Sequence, residues 1–185
     1  MGATKKTENS HIEEKVFIRL QAIGELPGPV RVLDAFSADG RIWDNVKART
    51  EKVINVTPIE LRALNSNRIY LRGDNMKFIA GMNLSRYDVI DLDSYGVPFA
   101  QLELIFEKKF KGIVCVTFIQ TVMGNLSDDF LEAIGFPRRM FKKCPTLFFR
   151  DGMQKMEQYL AMRGVTRITG YFLDDRKNYF FFSLG

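Results

Sequence analysis

Two short apolar runs of this chain each end in an acidic turn, and together they decide the fold. The first is VRVLDAFSADG at Val30–Gly40, and the second is YDVIDLDSYG at Tyr87–Gly96. Each has the length of a buried strand and is followed at once by small and polar residues. In an open parallel sheet, ligands bind in the crevice beyond the carboxyl ends of the strands. The two turns are therefore predicted to face one pocket.

The size and composition of the chain indicate one globular domain. Its 185 residues suffice to bury roughly 70% of the unfolded surface in a single core. The polar segment 1–9 is predicted to be a disordered tail, and 10–185 a single domain. No apolar run approaches the roughly 20 residues needed to cross a bilayer, and the start lacks the apolar core of a signal peptide. We therefore expect a cytoplasmic protein with no membrane partner.

The charged, cysteine and histidine residues favour some kinds of function and argue against others. The net charge of +5 favours anionic partners, nucleic acid among them. Two cysteines, Cys115 and Cys144, and one histidine, His11, are too few for a structural zinc site, so no metal is expected. The single histidine also makes a histidine-based general acid or base unavailable to the predicted pocket.

Strand-like and helix-like segments alternate along the first two thirds of the chain. Ser10–Glu13 has the spacing of a capping box and opens an amphipathic helix that ends at Gly24. Pro58 and Pro98 each suit the first turn of a helix. Strands are expected at 30–36, 52–56, 68–72, 87–92 and 112–119, and helices at 41–50, 58–65, 76–84 and 98–110. Such alternation is typical of right-handed crossovers and a buried parallel sheet.

The pattern changes after the fifth strand. Helices are predicted at 127–134 and 151–163, and a basic link, Arg138–Lys143, separates them. Two strand-like runs follow at 165–173 and 179–184, joined by the polar turn Asp174–Asn178, and they predict an antiparallel hairpin. The expected fold class is α/β, with a mostly parallel seven-stranded sheet that ends in this hairpin.

This order of elements resembles the class I S-adenosylmethionine-dependent methyltransferases. Val32–Gly40 is similar to the first cofactor motif of that family, and the resemblance extends roughly from Val30 to Phe118. It implies a Rossmann-like methyltransferase fold and S-adenosylmethionine as the cofactor. A nicotinamide-dependent oxidoreductase fits less well, because the first turn lacks the glycine spacing that a pyrophosphate needs.

The resemblance places the cofactor at three strand-end turns. In the first turn, small residues let the backbone approach the methionine part of the cofactor, and Asp34 can anchor the turn or the ligand's ammonium group. Ala38 stands where the family usually has glycine, and a positive φ there would cost about 1 kcal/mol. Thr57 takes the place of the family's ribose-binding acid, with Glu60 as a substitute nearby. Asp74 reads the adenine or caps the next helix. The cofactor-binding residues implied are Asp34, Phe36, Ser37, Ala38, Gly40, Thr57, Asp74 and Asn75.

The turn after the fourth strand indicates the reaction. Asp91–Pro98 resembles the Asp-x-Asp-Pro-Phe/Tyr-Gly stretch of tRNA guanine dimethyltransferases, which modify an exocyclic amine. The catalytic residues implied are Asp93, Tyr95 and Asp91; Asp93 holds the acceptor amine and Tyr95 stacks on the base. Ser94 replaces the family's proline, which is expected to loosen the turn. Alternatively, Asp93 caps the following helix and Tyr95 packs against the sheet edge.

A basic and aromatic segment after the fifth strand suits a nucleic-acid substrate. Arg138, Arg139 and Lys142 are expected to bind substrate together with Tyr95, and an ordinary solvated loop is the alternative. The leading hypothesis is methyl transfer to an exocyclic amine of a nucleobase, in RNA more than in DNA. The departures at Ala38, Thr57 and Ser94 support a second hypothesis. In it, the chain is a catalytically degenerate member of the fold that binds nucleic acid or a protein partner.

Overall fold

Seven strands and seven α-helices make up the described part of the chain. The computed structural model describes residues 11–24, 26–63, 67–120, 126–172 and 177–185. The predicted tail at 1–9 and residues 174–176 of the predicted turn lie outside these ranges. The strands are β1 Val30–Asp34, β2 Ile54–Glu60, β3 Leu71–Arg72, β4 Val89–Leu92, β5 Gly112–Ile119, β6 Thr169–Phe172 and β7 Lys177–Leu184. The helices are α1 Ile12–Gly24, α2 Arg41–Ala48, α3 Asn75–Gly81, α4 Phe99–Glu107, α5 Asp128–Ala133, α6 Arg138–Lys143 and α7 Gly152–Met162.

The seven strands form one sheet in the order β3-β2-β1-β4-β5-β7-β6. The pairs β1–β2, β1–β4, β2–β3 and β4–β5 are parallel, whereas β7 is antiparallel to both of its neighbours, β5 and β6. The expected α/β fold with a mostly parallel seven-stranded sheet and a C-terminal antiparallel hairpin is confirmed. Among the described helices, none is long and apolar enough to cross a bilayer.

Each face of the sheet carries its own core, because side chains alternate between the two faces of a strand. On one face, α1 and α2 contribute the buried Val16 and Trp43, which pack with Val32 of β1. On the other face, α3, α4, α5 and α7 cover a larger core rich in phenylalanine, with Phe118 and Phe130 fully buried. Helix α1 also contacts β5 and β7, so the first described helix packs against the last strand.

The strand register brings the two acidic turns together. In the pairing of β1 with β4, Asp34 lies opposite Asp91, and the backbone N–H of Ala35 donates to the Asp91 carbonyl at 3.0 Å. The carboxyl ends of two neighbouring parallel strands therefore meet at one edge of the sheet, as expected for a ligand crevice.

Strand β2 is longer than the sequence indicates, and the predicted helix at 58–65 is wrong. The strand continues through Pro58, which lies opposite Asp34, and ends at Glu60. Proline lacks an N–H, and here its nitrogen lies on the β3 side, where pairing begins only at Ile59. A proline at this position therefore removes no ladder hydrogen bond.

The basic segment Arg138–Lys143 is a helix, α6, and not the predicted link. Pro137 precedes its first residue in an extended conformation, and Phe141 is buried on its inner side. The Phe141 ring packs edge-on against Phe148, with the centroids 6.0 Å apart. Phe141 is thus the buried apolar anchor of a short helix whose other side chains are exposed and, apart from Met140, charged.

We expect Lys52→Met to destabilise the protein by about 1.5–3 kcal/mol, because Lys52 caps the C-terminus of α1. Its Nζ donates to the carbonyls of Ile23, Gly24 and Leu26 at 2.7–2.8 Å. The terminal carbonyls of a helix have no hydrogen-bond partner within the helix. Without the Lys52 ammonium, no other group of the helix replaces the hydrogen bonds that these carbonyls accept. Urea unfolding measures the effect. The exposed Lys77→Met is the control, and equal midpoints for the two variants would contradict the capping role.

Candidate active site

Three aspartates gather at the carboxyl ends of β1 and β4. Asp34 is the last residue of β1, Asp91 lies within β4, and Asp93 follows β4. Asp34 and Asp91 are buried, and the Asp93 side chain is only 13% exposed. Three carboxylates in one poorly solvated cluster repel each other unless cations or protons balance their charge.

Arg19 of α1 balances Asp91 through a buried bidentate ion pair. Its Nε and a terminal nitrogen donate to the two carboxylate oxygens at 3.0 and 2.6 Å. Trp43 of α2 adds an indole N–H bond of 2.8 Å to the same carboxylate. Burial alone would lower the pKa of Arg19, but the charges of Asp91 and Asp93 outweigh it and raise that pKa. Both oxygens of the buried Asp91 thus bond to Arg19 or Trp43, and the catalytic role of Asp91 stays a prediction.

Asp93 carries the second ion pair of the cluster, with Lys15 of α1. The Lys15 Nζ lies 2.7 and 2.9 Å from the two carboxylate oxygens. Thr117 of β5 donates its hydroxyl to the same carboxylate at 2.5 Å, and a guanidinium nitrogen of Arg19 is 3.9 Å away. The alternative in which Asp93 caps α4 finds no support, since α4 begins after Pro98 with no side-chain cap.

Asp34 forms no ion pair with any described residue. Its carboxylate accepts the backbone N–H of Phe36 at 3.3 Å, while Arg19 and Lys15 bond to the other two aspartates. Burial raises the pKa of Asp34 well above its ordinary value, and the charges of Asp91 and Asp93 raise it further. Asp34 therefore keeps its proton to a higher pH than an ordinary aspartic acid in the protein alone.

The turn after β4 presents Tyr95 to solvent and is firmly attached to β5. Tyr95 is 72% exposed, so most of its ring faces solvent. Ser94 is buried, and its hydroxyl lies 3.2 Å from the Gly96 carbonyl and 3.3 Å from the Thr117 carbonyl. The N–H of Ile119 also donates to the Gly96 carbonyl at 3.0 Å. Contrary to expectation, serine in place of proline therefore does not loosen this turn. The hydrogen bonds of the turn supply the constraint that a proline ring would have supplied.

The turn between β1 and α2 has the backbone shape that close ligand approach requires. Ala38 adopts a φ of 45°, so an alanine takes the left-handed conformation that favours glycine, and Gly40 has a φ of 74°. Glu60, at the end of β2, accepts the N–H of Ala38 at 3.0 Å. Arg68 pairs with Asp44 and lies so close to Gly40 that a side chain there would meet its guanidinium.

A cavity of about 160 Å³ opens beside this turn. Four predicted cofactor residues line it together with residues of α2 and β2, namely Asp34, Ser37, Ala38 and Gly40. Two others lie elsewhere. Phe36 packs against the larger core, on the opposite face of the sheet. Thr57 is not at a strand end, because β2 continues to Glu60; its neighbours Val56 and Pro58 line the cavity, so Thr57 points to the other face. Glu60 takes the strand-end place expected for Thr57.

The remaining predicted cofactor residues form the start of α3. Asp74 is exposed and caps the helix by accepting the N–H of Met76 at 2.9 Å. Asn75 links the helix to the first turn, since its amide donates to the Ala35 carbonyl at 2.9 Å and accepts from Gln101 at 3.0 Å. Capping uses one oxygen of Asp74, which leaves the predicted adenine contact compatible with this geometry.

The predicted substrate-binding cations lie on α6, near the carboxyl end of β5. The helix rests on Phe148, whose carbonyl accepts the side-chain amide of Gln120, directly after β5. Arg138 forms ion pairs with Asp129 at 2.9 Å and Glu132 at 3.0 Å, so its charge is already balanced. Arg139 and Lys142 are exposed. Of the three predicted substrate-binding cations, Arg138 is thus the one paired with described carboxylates.

We compared the sequence and the fold with those of known proteins. No protein-family model and no curated protein matches the sequence. A SAM-dependent methyltransferase from Archaeoglobus fulgidus superposes with a TM-score of 0.57 at 14% identity, over 92% of each chain. Haemonchus contortus phosphoethanolamine N-methyltransferase 2, solved with S-adenosylmethionine, gives 0.58 at 14% identity, over 93% of this chain and 52% of that one. A candidate class I methyltransferase from Listeria monocytogenes gives 0.56 at 11% identity; this chain is covered fully and spans 63% of that structure.

The chain has the class I methyltransferase fold. The sequence pattern predicts the edge of the sheet at which the candidate site lies. It does not predict the two cations at that edge, Arg19 and Lys15. Arg19 and Lys15 lie one turn apart on α1, and Arg19 stands three residues after Val16 and four before Ile23, both buried. A charge on the buried stripe of an amphipathic helix signals a buried acidic partner.

Proposed function

We propose that this chain is an S-adenosylmethionine-dependent methyltransferase whose acceptor is an exocyclic amine of a nucleobase, in RNA more than in DNA. The charge of the acidic cluster carries the proposal. Among the described residues, three aspartates share two cations, and Asp34, which pairs with neither, lines the cavity beside the β1–α2 turn. A positively charged ligand group at Asp34 would complete the balance, and S-adenosylmethionine has both a sulfonium and an ammonium group.

The residues around the cavity suit this cofactor. Ala38 and Gly40 are small and have positive φ, so their backbone can be approached closely. Asp34, Ser37 and the turn would hold the methionine part of the cofactor. Glu60, at the end of β2, would supply the acid that the resemblance implies for the ribose hydroxyls. Its two oxygens accept the N–H groups of Ala38 and Arg62, each at 3.0 Å, and each oxygen keeps a second lone pair for a hydroxyl. The cofactor would supply a methyl group activated by the sulfonium.

The chain's own part in the reaction is to hold and orient the acceptor. An aryl amine is a poor nucleophile, because its lone pair is delocalised into the ring. A carboxylate that accepts the amine hydrogens favours the localised lone pair, and Asp93 is the least buried of the three acids. Tyr95, two residues further on, presents an exposed ring on which a base can stack.

The charge distribution supports a nucleic-acid acceptor. Phosphate groups need cations that are accessible and not already paired with carboxylates. Arg139 and Lys142 on α6 are exposed, and neither forms an ion pair with a carboxylate in the described part of the chain. The net charge of +5 adds a general attraction for polyanions. Single-stranded RNA presents unstacked bases whose edges a shallow site can reach, which favours RNA over duplex DNA.

Labelled methyl transfer tests the proposal. The protein is incubated with tritiated S-adenosylmethionine and separate pools of tRNA, rRNA, DNA and protein, and calorimetry measures cofactor binding in parallel. We expect label in an RNA pool, at an amine nitrogen. Cofactor binding without label in any pool would favour a catalytically degenerate protein, and absence of both would overturn the proposal.

We expect Asp34 to release a proton when S-adenosylmethionine binds, because the ligand's positive charge favours the carboxylate. Burial and the neighbouring acids raise the pKa of Asp34 in the protein alone. Binding calorimetry at about pH 7.5, where both buffers have capacity, should then be more exothermic in Tris than in phosphate, since the buffer takes up the proton and Tris releases more heat on protonation. Asp34→Asn should abolish the difference, whereas Asp39→Asn, in the same turn but exposed, should keep it.

The same ionisation sets a pH dependence of stability. A raised pKa means that the folded protein holds a proton on Asp34 that the unfolded chain loses from about pH 4 upward. The contribution of Asp34 to stability is therefore complete below that pH and declines as pH rises through the folded-state pKa. Asp34→Asn should flatten this decline in urea unfolding without cofactor. An unchanged pH profile, or a buffer-independent binding enthalpy, would contradict the assigned ionisation.

A further inference from the structure

The carboxylate proposed to hold the acceptor amine already holds an amine of the chain itself. The Lys15 Nζ lies 2.7 and 2.9 Å from the two oxygens of Asp93, and each side chain is only 13% exposed. The same Nζ lies 5.6 Å from the centre of the Tyr179 ring. Two acceptor oxygens and one aromatic face are the surroundings that suit an amine that donates hydrogen bonds.

We infer that Asp93 and Tyr179 form an amine-binding subsite, that Lys15 occupies it, and that the acceptor amine enters by displacing Lys15. The inference rests on the proposed role of Asp93. It makes Lys15 a residue that determines specificity, because every acceptor must compete with an ion pair inside the protein. An isolated small amine that displaces Lys15 forms new contacts only with the subsite. A base in a nucleic acid forms those contacts and also stacking and phosphate contacts elsewhere on the protein.

The structure allows this displacement without movement of helix α1. Arg19 anchors the helix through Asp91 and donates to the Lys15 carbonyl at 3.2 Å, so the backbone at Lys15 is fixed. Only the flexible four-carbon side chain has to leave. Thr117 continues to donate to Asp93, and the Arg19 guanidinium remains 3.9 Å from it, so the carboxylate keeps two partners during the exchange.

An ammonium bound to a carboxylate has no free lone pair, which makes Lys15 a competitor and not a methyl acceptor. Methylation of its nitrogen would require loss of a proton before the nitrogen could attack the methyl carbon and break the carbon–sulfur bond. Mass analysis of the protein after incubation with S-adenosylmethionine separates the two roles.

Kinetics with Lys15 variants test the competition. Lys15→Met should lower the KM for tRNA ~10-fold, because the acceptor no longer breaks an ion pair, while Lys15→Arg should keep the wild-type value. Arg49→Met is the matched control. It removes a cation that pairs with Glu13, also on α1, without touching Asp93. An unchanged or higher KM in Lys15→Met, or methylation of Lys15 itself, would overturn the inference.

Chemical footprinting tests the same exchange without turnover. Lys15 should acetylate at least ~10-fold more slowly than the exposed Lys77 in the protein alone, and Asp93→Asn should remove the protection. Adding tRNA at saturating concentration should raise the acetylation rate of Lys15. Protection that persists with tRNA, or no protection at the start, refutes the inference. The proposed function fails separately, through absent cofactor binding and absent transfer.

Discussion

Arg19→Met is expected to destabilise the protein by about 3–5 kcal/mol, because it leaves a buried carboxylate without its counter-ion. Arg19 is fully buried and Asp91 is 1% exposed, so water cannot replace the lost bonds. The charge of Asp91 would then act directly on Asp34 and Asp93 in the same cluster. Urea unfolding at constant m-value measures the loss.

Arg31→Met is the matched control for this variant. Arg31 grips Asp88 with the same bidentate geometry, at 3.0 and 2.7 Å, but its side chain is 52% exposed. Exposed pairs contribute little, so the control should change stability far less. The double variant Arg19→Met/Asp91→Asn removes both charges and should recover at least half of the loss. Equal effects of the two single variants would show that the buried pair is not a principal source of stability.

Asp93→Asn is expected to lower methyl transfer by about 10²–10³-fold while cofactor binding stays unchanged. The amide presents one acceptor and one donor, and its N–H₂ group opposes the amine hydrogens that a carboxylate accepts. The turn itself should keep its shape, because the buried Ser94 attaches it to β5 independently of Asp93. The initial rate with RNA and the binding enthalpy of S-adenosylmethionine separate the two effects.

Two further variants make this result interpretable. Glu107→Gln removes a negative charge at an exposed position at the end of α4 and should leave the rate unchanged. Asp93→Asn leaves Lys15 without its carboxylate, so Asp93→Asn/Lys15→Met removes that unpaired charge too. If the double variant regains the wild-type rate, Asp93 acts on stability and not on the acceptor.

Much of the fold could be predicted because buried parallel strands are short apolar runs. Strand β5 at Gly112–Ile119 has the predicted bounds, and its six central residues are all buried. The predicted second strand ends at residue 56, before the observed end of β2, because Pro58 taken alone suits the start of a helix. Pro58 fits within the strand because β3 begins to pair with β2 only at Ile59, one residue later. No local pattern contains that information.

The candidate site was predictable only in part, for a related reason. Asp34 and Asp93 follow apolar runs, so their meeting at one sheet edge comes from topology alone. The pairs that tune them join residues far apart in sequence, such as Lys15 with Asp93 and Arg19 with Asp91. A positive φ at Ala38 was considered from the sequence alone, because the family that this chain resembles usually has glycine at that place. The observed φ of Ala38 is positive.

The packing of α1 against β7 has a consequence for the order of folding. Tyr179, the ring beneath the Lys15 ammonium, belongs to β7, which lies far from α1 in sequence. The apolar stripe and the two cations of α1 thus have no complete partner until β7 pairs with β5. Contacts of such sequence separation form slowly, because a long loop must close first. The proposed amine subsite is therefore expected to form after the contacts between neighbouring segments of the chain.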